Sequence, residues 1–313
     1  MAQTTRVLAA SFPISMLARV VDAVPGVELI EVPDTPDLPP AVYGEVLLTP
    51  PWDSGNLRAV LDRGVRWIHT VGTGLDRFPF AVVGDRLVTC SRGASGIPIA
   101  EWVLAMMLAF EKRLPEAWVT QPPERWHEAQ LGGLYGKTCG VVGLGGIGTA
   151  VARRALAFDM RVRALRRSGT PSPFAGIECV RSLVEVLGSA DHLVLALPLT
   201  AETHHLIGHE ALAQVKPGLH LINVARGALV DQEALRAALD DGRVARASLD
   251  VVEPEPLPAG HWLYAHPRVR LSPHISWSMP AAFDLLLDTF IDNLQRYRAR
   301  EPLHGQVDRT QGY

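Results

Sequence analysis

The sequence predicts an α/β fold with two doubly wound parallel sheets. Three observations indicate this fold class: short apolar runs alternate with segments of helical length, the alternation occurs in two separate series, and a glycine-rich turn joins a strand to a helix at the start of the second series. Such alternation is typical of βαβ units around a parallel sheet. A chain of 313 residues, of which 48% are hydrophobic, is also long enough to bury two cores.

The first series of strands occupies the N-terminal part of the chain. Each apolar run is followed by turn residues or by a helical pattern, and the predicted strands are Arg6–Ala10, Val46–Thr49, Trp67–Val71 and Leu87–Thr89. The segment Ile97–Arg113 comes next and is mostly apolar over a helical length. It therefore predicts a buried helix that connects the two domains.

The second series supplies the strands of the other sheet. They are predicted at Thr138–Val142, Arg161–Leu165, His192–Leu197, His220–Asn223, Ala247–Val251 and Val269–Leu271. A final helix, predicted over Pro280–Arg300, lies too far along the chain to belong to this alternation. We therefore expect it to return to the first domain, which becomes discontinuous. The predicted domains are residues 1–97 with 282–313, and residues 98–281.

The segment 115–135 interrupts the pattern, because it contains three prolines and two tryptophans. Its length is compatible with an exposed arm used in dimerisation and equally with an ordinary surface loop. We expect a homodimer in which this segment and the helix after Gly148 bury apolar surface against a two-fold partner.

Composition and charge exclude several classes of partner. The formal net charge is −3 and there is no block of Lys and Arg, which argues against nucleic acid or an anionic membrane as the main partner. Cys90, Cys139 and Cys179 are odd in number and widely spaced, so neither a disulfide framework nor a metal site is expected. The N-terminus lacks a signal-peptide layout, and the longest apolar stretch, Trp102–Phe110, is too short to span a bilayer. We expect a cytoplasmic protein that binds small molecules.

The strand Thr138–Val142 runs directly into a glycine-rich turn and then into the helical stretch Thr149–Phe158. The turn reads Gly143-Leu144-Gly145-Gly146-Ile147-Gly148. This strand–turn–helix context is the one that a Rossmann-like dinucleotide site requires: the first glycine permits the tight turn, the second lets the pyrophosphate approach the backbone, and the third lets helix and strand pack closely. The helix N-terminus offers free N–H groups to the phosphates. Residues 98–281 are therefore predicted to bind NAD(P).

The residues after the next strand bear on which dinucleotide is used. Arg166, Arg167 and Ser168 stand where an NAD enzyme would place an Asp or Glu on the ribose 2′-hydroxyl. Two guanidinium groups and a hydroxyl suit a 2′-phosphate instead. NADP(H) is predicted as the preferred cofactor, with NAD(H) possible. A pair of solvated surface arginines is the alternative interpretation.

Three segments that follow later strands of the second sheet each carry a charged side chain: Arg226, Glu255 and His274. Taken singly, a charged residue at a strand end is more often a solvated or structural residue than a catalytic one. Because the carboxyl ends of parallel strands line one crevice, however, the three charges are expected to converge. We expect the active site in the cleft between the two domains.

With these segments in place, the chain resembles the D-isomer-specific 2-hydroxyacid dehydrogenase family over nearly its whole length. Further segments that carry the resemblance are Val71-Gly72-Thr73-Gly74-Leu75-Asp76, Ile99-Ala100-Glu101 and Leu197-Pro198-Leu199-Thr200. The ending Gly305-Gln306-Val307-Asp308-Arg309 is similar to that of short bacterial glyoxylate/hydroxypyruvate reductases, and we expect no C-terminal regulatory domain.

The resemblance implies a role for each charged residue. Arg226 would bind the substrate, His274 would be the acid/base and Glu255 its carboxylate partner. Asp250 would accept a hydrogen bond from the nicotinamide carboxamide; a strand-end cap is the alternative. Other expected cofactor contacts are Ile99, Leu197, Pro198, Thr203, Val224, Ala225 and Ser276.

The chemistry of 2-oxo acid reduction calls for the same residue types. Hydride transfer to C2 builds negative charge on the carbonyl oxygen, so a proton donor and a cation are needed beside it. We expect Glu255 to orient the imidazole of His274 and favour its protonated form, and the rigid fork of Arg226 to hold the substrate carboxylate. Backbone N–H groups of Gly72, Thr73 and Gly74, next to Val71, would form an anion-binding nest for that carboxylate, although a tight turn without a ligand is the alternative. Trp277 is expected either to narrow the substrate pocket or to contact the cofactor.

The sequence therefore predicts an NADPH-preferring 2-oxo acid reductase that acts on a small substrate such as glyoxylate or hydroxypyruvate. A dinucleotide-sensing binding protein similar to the family's corepressors is one alternative. A dehydrogenase of a larger 2-hydroxy acid such as 3-phosphoglycerate is another, although the first domain offers a substrate phosphate only scattered arginines: Arg58, Arg63, Arg66 and Arg77.

Overall fold

The chain consists of two α/β units with parallel sheets. The structure, a computed structural model, describes residues 4–128, 130–167, 172 and 174–308. Unit 1 combines Met1–Ser95 with Met279–Tyr313, and unit 2 is Gly96–Ser278. The boundaries expected from the sequence, 97/98 and 281/282, lie slightly further along the chain.

Unit 1 contains a five-stranded sheet in the order β2-β1-β3-β4-β5, in which every pairing is parallel. The strands are β1 (Thr5–Ala10), β2 (Val27–Val32), β3 (Val46–Thr49), β4 (Trp67–Thr70) and β5 (Leu87–Cys90). Short helices α1 (Ala18–Ala23) and α2 (Leu57–Leu61) join them. Strands β1, β3, β4 and β5 are largely buried, as expected for a parallel sheet covered on both faces.

Unit 2 contains a seven-stranded parallel sheet in the order β12-β11-β10-β9-β6-β7-β8. The strands are β6 (Thr138–Val142), β7 (Arg161–Leu165), β8 (Ile177–Val180), β9 (His192–Leu195), β10 (Leu219–Asn223), β11 (Val244–Leu249) and β12 (Val269–Leu271). The helices are α3 (Gly96–Glu111), α4 (Gly146–Ala157), α5 (Leu183–Leu187), α6 (His209–Ala213), α7 (Gln232–Asp240) and α8 (Trp262–Ala265).

The last helix, α9 (Ala282–Ala299), belongs to the core of unit 1. Leu287, Phe290 and Leu294 are fully buried, and Phe290 lies 5.6 Å from the ring of Trp67 between centroids. The helix ends at Ala299, and the next residue, Arg300, adopts a left-handed conformation.

Two strands, β2 and β8, lie at sheet edges and were not expected from the sequence. Exposed glutamates interrupt their apolar residues, Glu28 and Glu31 in β2 and Glu178 in β8, so neither strand forms a continuous apolar run. The expected strands His192–Leu197 and Ala247–Val251 end two residues earlier than predicted, because the chain leaves the sheet after Leu195 and Leu249 to form loops, and the second of them begins earlier, at Val244.

The helix α4 uses its apolar residues within unit 2, since Val151, Ala152 and Ala155 are buried in the same core as α3. The segment 115–135, in contrast, leaves large apolar side chains exposed: Trp118, Val119, Trp126, Leu131 and Tyr135. Of the two segments expected to contact a partner, only 115–135 therefore leaves a large apolar surface uncovered.

Among the described residues, no helix combines the length and apolar character that crossing a membrane requires.

Candidate active site

The three charged residues predicted from the sequence follow three neighbouring strands. Arg226 comes after β10, Glu255 after β11 and His274 after β12, and these strands are adjacent in the order β12-β11-β10. Because all three strands are parallel, their carboxyl ends lie at one edge of the sheet. This edge of unit 2 is the candidate active site.

The imidazole of His274 is paired with the carboxylate of Glu255. Its Nδ1 lies 2.9 Å from Oε2 of Glu255, and the other carboxylate oxygen, Oε1, accepts the backbone N–H of Val252 at 3.1 Å. A carboxylate can only accept, so Nδ1 of His274 carries the proton in this contact. The histidine side chain is 44% exposed and that of Glu255 26% exposed. The arrangement thus fixes the ring and leaves the imidazole accessible.

The surroundings of Glu255 favour its ionised form. Burial by itself would raise the pKa of this carboxyl, but the hydrogen bond and the charge of His274 outweigh that effect. The Val252 N–H and the positive charge of Arg226 act in the same direction, and the pKa of Glu255 lies below its ordinary value. The guanidinium of Arg226 is therefore close enough to stabilise the negative charge of Glu255.

The backbone at Arg226 is held by the last residue of β10. The side-chain amide of Asn223 donates to the carbonyl of Arg226 at 2.9 Å, and its Oδ1 accepts the N–H of Ala225 at 3.1 Å. Nη1 of Arg226 donates to the carbonyl of Ala225 at 2.7 Å. These bonds position the guanidinium beside the strand end.

Gly227 brings the Arg226 loop against the loop that leads to Glu255. A Cβ added at Gly227 would lie 2.0 Å from the carbonyl carbon of Val252, 2.1 Å from its oxygen and 2.6 Å from the nitrogen of Glu253. No side chain fits in that space, so the close approach of the two loops requires a glycine here.

Asp250 anchors the loop that carries His274. Its carboxylate accepts the Ser272 hydroxyl and, at 2.9 Å each, the backbone N–H groups of Ile275 and Ser276, and only 2% of the residue is exposed. These contacts correspond to a strand-end cap, the alternative interpretation of this residue. Contact of Asp250 with a nicotinamide carboxamide stays a prediction.

The anchored loop holds His274 in an unusual backbone conformation. Its φ is 57°, in the left-handed region that non-glycine residues seldom adopt. The indole Nε1 of Trp277 donates to the carbonyl of His274 at 2.9 Å, so this tryptophan, 44% exposed, folds back onto the same loop. Residues held in such conformations concentrate at functional sites.

The glycine-rich turn has the geometry that a dinucleotide requires. Gly143 has a φ of 99°, and a Cβ there would lie 2.5 Å from the carbonyl oxygen of Ala196; a Cβ at Gly148 would lie 2.0 Å from the oxygen of Gly143. Nothing lies within 4 Å of a Cβ built at Gly145, so the backbone in front of α4 is open. No side chain caps α4 and its first turn carries no acidic residue. The turn therefore fits a bound pyrophosphate.

The other expected cofactor residues are distributed along the sheet of unit 2. Arg166 and Arg167 follow β7, whereas Ser168 lies outside the described residues. Thr203 donates its hydroxyl to the carbonyl of Pro198 at 2.8 Å in the loop that follows Leu197. The remaining residues are buried: Ile99, Val224, Ala225 and Ser276. Gly146 and Ile147 begin α4.

The expected substrate loop lies in unit 1, directly after β4. The carbonyl of Gly72 accepts the N–H of Ser91 at 3.0 Å, and Gly72 has a φ of 145°. The hydroxyl of Thr73 donates to the carbonyl of Ser91 at 3.3 Å. The roles of Val71, Gly72, Thr73 and Gly74 toward a substrate stay predictions.

Sequence reasoning missed the residues that hold the three charged groups in place. Asn223 and Gly227 stand close to Arg226 in the chain, and Ser272 stands two residues before His274. The one signal in the sequence was Gly227, a glycine directly after a charged residue at a strand end. The hydrogen bonds of Asn223 and Ser272 depend on loop geometry that a sequence does not show.

Comparison with known proteins finds similar chains. Residues 104–276, more than half of the chain, match the family model described as D-isomer specific 2-hydroxyacid dehydrogenase, NAD binding domain. A glyoxylate/hydroxypyruvate reductase B from Pectobacterium atrosepticum is 37% identical over 222 residues, which cover 67% of this chain and 69% of that protein. A D-3-phosphoglycerate dehydrogenase from Bacillus subtilis is 37% identical over 226 residues, which cover 69% of this chain and 42% of that protein. The chain thus spans less than half the length of the latter relative.

A similar solved structure covers the whole chain. It is a D-isomer specific 2-hydroxyacid dehydrogenase from Xanthobacter autotrophicus Py2 in complex with NADPH and MES. The sequences are 29% identical, the TM-score is 0.86, and the alignment covers 100% of both chains.

Proposed function

The chain belongs to the D-isomer specific 2-hydroxyacid dehydrogenase family, and on that basis we propose that it reduces a small 2-oxo acid with NADPH. The observation that carries the proposal is the 2.9 Å contact between Nδ1 of His274 and Oε2 of Glu255, at the sheet edge where Arg226 also lies. Reduction of a carbonyl beside a carboxylate requires a proton donor, a partner that orients it, and a cation.

His274 is the proton donor in this proposal. Since Nδ1 is engaged by Glu255, the other ring nitrogen, Nε2, is the atom that protonates the carbonyl oxygen of the substrate. Glu255 holds the tautomer and the direction of the ring, and its negative charge stabilises the protonated imidazole. The proton passes from Nε2 to the oxygen as negative charge builds there, which completes the hydroxy acid.

Arg226 binds the substrate carboxylate. A guanidinium presents two parallel N–H groups, which match the two oxygens of a carboxylate, and it keeps its charge at any working pH. Asn223 fixes the backbone from which the side chain extends. This grip holds the carbonyl carbon of the substrate in one orientation.

The glycine turn and the N-terminus of α4 would hold the pyrophosphate of the dinucleotide, which when bound supplies the hydride. Gly145 leaves the backbone open, and Gly143 and Gly148 allow the tight turn and the close packing of α4 on β6. Arg166 and Arg167 would contact the 2′-phosphate, and the absence of a carboxylate at these two positions is the reason for proposing NADPH over NADH.

The proposed substrates are glyoxylate and hydroxypyruvate. The relative from Pectobacterium atrosepticum carries both in its name, and Trp277, next to the His274 loop, favours a small substrate. A phosphorylated substrate such as 3-phosphoglycerate favours a cluster of cations, whereas the arginines of unit 1 are scattered along the chain, and one of them, Arg63, donates to the carbonyl of Leu38 at 2.6 Å. A purely dinucleotide-sensing role would leave the pairing of His274 with Glu255 unexplained.

A substrate panel tests the proposal. Glyoxylate, hydroxypyruvate, pyruvate, phenylpyruvate and 2-oxoisovalerate are each offered with NADPH and with NADH, and cofactor oxidation is followed. We expect the first two acids to be reduced with the highest catalytic efficiency. Tight NADPH binding without reduction of any acid in the panel would favour the dinucleotide-sensing alternative.

We also propose that two copies associate through the segment 115–135. Its exposed Trp118 and Trp126 are 69% and 67% accessible, and uncovered apolar patches of this kind commonly mark interfaces. Light scattering at micromolar concentration should show a dimer that dissociates in a Trp118→Ser/Trp126→Ser variant. Trp52→Ser, a change at another exposed tryptophan in unit 1, is the control. A monomeric wild type would contradict this proposal.

The cysteines fit a reducing compartment. Cys90, Cys139 and Cys179 are free in the structure, so we place the proposed enzyme in the cytoplasm.

A further inference from the structure

Two histidines and a glutamate form an exposed cluster in unit 2 that contains none of the residues assigned above to substrate or cofactor. His204 and His205 lie in the loop after β9, and Glu253 lies in the loop after β11. Each residue offers one ligand atom, and these three atoms all lie within 4.8 Å of one another. Nε2 of His205 is 3.9 Å from Oε2 of Glu253. The cluster contains no cysteine, so the spacing of the cysteines gave no indication of it.

An unusual backbone conformation brings the two imidazoles together. Neighbouring residues of an extended chain place their side chains on opposite faces, whereas His205 has a φ of 52°, in the left-handed region. The rings of His204 and His205 are stacked, with centroids 4.0 Å apart and planes 27° from parallel. The N–H of His204 donates to the carbonyl of Thr200 at 2.9 Å. The N–H of His205 donates to the carbonyl of Ala228 at 2.8 Å, so the backbone holds both rings on one side.

The loop that carries Glu253 is anchored through its backbone, which leaves the carboxylate available. The N–H of Glu253 donates to Oε1 of Gln232 at 3.3 Å, and its carbonyl accepts Nε2 of the same side chain at 2.5 Å. The side chain of Glu253 is 48% exposed. An ion pair with His205 accounts for this carboxylate but not for the second imidazole beside it. Since hydrogen bonds of the backbone fix both loops, only the three side chains need to rotate to meet one ion.

We propose that His204, His205 and Glu253 bind a zinc ion. Two imidazoles and one carboxylate are a ligand set that zinc accepts in proteins, with water in a fourth position. Bonds of about 2.0–2.2 Å in a tetrahedron place the ligand atoms about 3.3–3.6 Å apart, so the exposed side chains close the remaining distance by moving their tips about 1–2 Å. Magnesium and calcium prefer oxygen ligands and do not fit a site with two imidazoles.

The zinc ion cross-links loops that follow neighbouring strands. Strands β9, β10 and β11 are adjacent in the sheet, and the ligands come from the loops after β9 and β11. The loop after β10 contacts both, since Ala228 accepts the N–H of His205 and Gly227 lies against Val252. A ligand that binds the folded chain and not the unfolded one raises stability. The ion therefore acts as a structural cross-link at this edge of unit 2.

Calorimetry with zinc tests the site, on protein purified without a histidine tag. The wild type should bind one ion per chain at the cluster. His205→Asn removes an imidazole, and asparagine tolerates the left-handed backbone; Glu253→Gln removes the charge at nearly constant size. Each change should weaken zinc binding by about 100-fold or more, because even partners outside the ligand shell contribute about 10–100-fold. Magnesium should not bind.

Two histidine variants serve as controls. His304 lies 3.6 Å from the carboxylate of Asp292 and belongs to no three-residue cluster among the described side chains. His304→Ala therefore tests whether any exposed pair of a histidine and a carboxylate binds the ion. His274→Ala tests whether zinc goes to the pair of His274 and Glu255 instead. Both variants should bind zinc as tightly as the wild type does.

Two further measurements examine the ligands and the effect on the fold. Cobalt(II) in place of zinc should give the visible absorption bands of a four- or five-coordinate ion, and His204→Ala should lose them. At a free zinc concentration about 100-fold above Kd, the Tm of the wild type should rise by about 4–7 °C, and that of Glu253→Gln should not rise.

The inference is wrong if zinc binding survives both His205→Asn and Glu253→Gln, because the cluster would then be an ordinary set of surface side chains. Loss of binding in His274→Ala would place the ion at the candidate active site. A cobalt spectrum identical to that of the ion in water would show that the side chains do not ligate it. None of these measurements depends on turnover, so the zinc site and the proposed function can fail separately.

Discussion

Substitution of Gly227 by alanine tests the geometry of the candidate active site. The added Cβ would lie 2.0 Å from the carbonyl carbon of Val252, whereas ordinary contact begins at 3.4 Å, so the two loops must separate by about 1.4 Å. The obstacles are backbone atoms, which cannot rotate away as a side chain can. Overpacking of this kind destabilises proteins by about 1–3 kcal/mol. Because the shift falls between Arg226 and Glu255, we also expect catalytic efficiency to fall by about 10²-fold, the effect of a displacement near 1 Å.

The assays for Gly227→Ala are urea denaturation and the initial rate of 2-oxo acid reduction. Gly188→Ala is the matched control, since Gly188 has ordinary helical dihedral angles and the nearest neighbour of the new Cβ, the carbonyl oxygen of Val184, would be 3.3 Å away. The control should retain both stability and rate. If Gly227→Ala behaves like Gly188→Ala in both assays, the close approach of the two loops is not what positions Glu255.

Three further predictions concern cofactor choice and pH. Arg166→Asp should weaken use of NADPH far more than use of NADH in steady-state kinetics; a wild type that already prefers NADH by about tenfold, or 1.4 kcal/mol, would contradict the assignment. Glu255→Gln should keep a hydrogen bond to His274 but remove the negative charge, so reduction should decline at a lower pH than in the wild type, and overlapping pH–rate profiles would argue against the pairing. His69 is fully buried and burial lowers its pKa to about 3, so the unfolded chain takes up a proton near pH 6.5 that the folded chain does not. Stability should therefore fall by about 2 kcal/mol from this residue between pH 6.5 and pH 5, and urea denaturation of His69→Gln should show a shallower loss; equal slopes would refute the assignment.

The sequence predicted the two parallel sheets because central strands leave a strong signal. Val46–Thr49 and Thr138–Val142 are short, mostly apolar runs in the middle of their sheets, and both are strands with the predicted limits. The edge strand Val27–Val32 does not leave this signal. Its two glutamates, Glu28 and Glu31, are exposed and interrupt the apolar residues, so its sequence is compatible with a loop or a helix.

The sequence could predict which charged residues share one sheet edge, but not the loop contacts that hold them in place. Arg226, Glu255 and His274 could be placed at strand ends, and the parallel sheet then required them to share an edge. A strand-end cap was one of the two predicted roles of Asp250, but its partners were not predictable, since its bonds to Ile275 and Ser276 depend on the loop that follows β12. The same holds for Gly227, whose importance depends on the approach of a chain segment that lies well beyond it in sequence.

Replacement of His274 by alanine tests the central claim most directly, with 2-oxo acid reduction and NADPH affinity measured on the same preparation. The proposal predicts that turnover falls by about 10²–10⁴-fold, the usual contribution of general acid–base catalysis. NADPH affinity should be nearly unchanged, because the glycine turn and the arginines after β7 would hold the dinucleotide. A His274→Ala enzyme that still reduces glyoxylate or hydroxypyruvate at the wild-type rate would contradict the assignment of the proton donor.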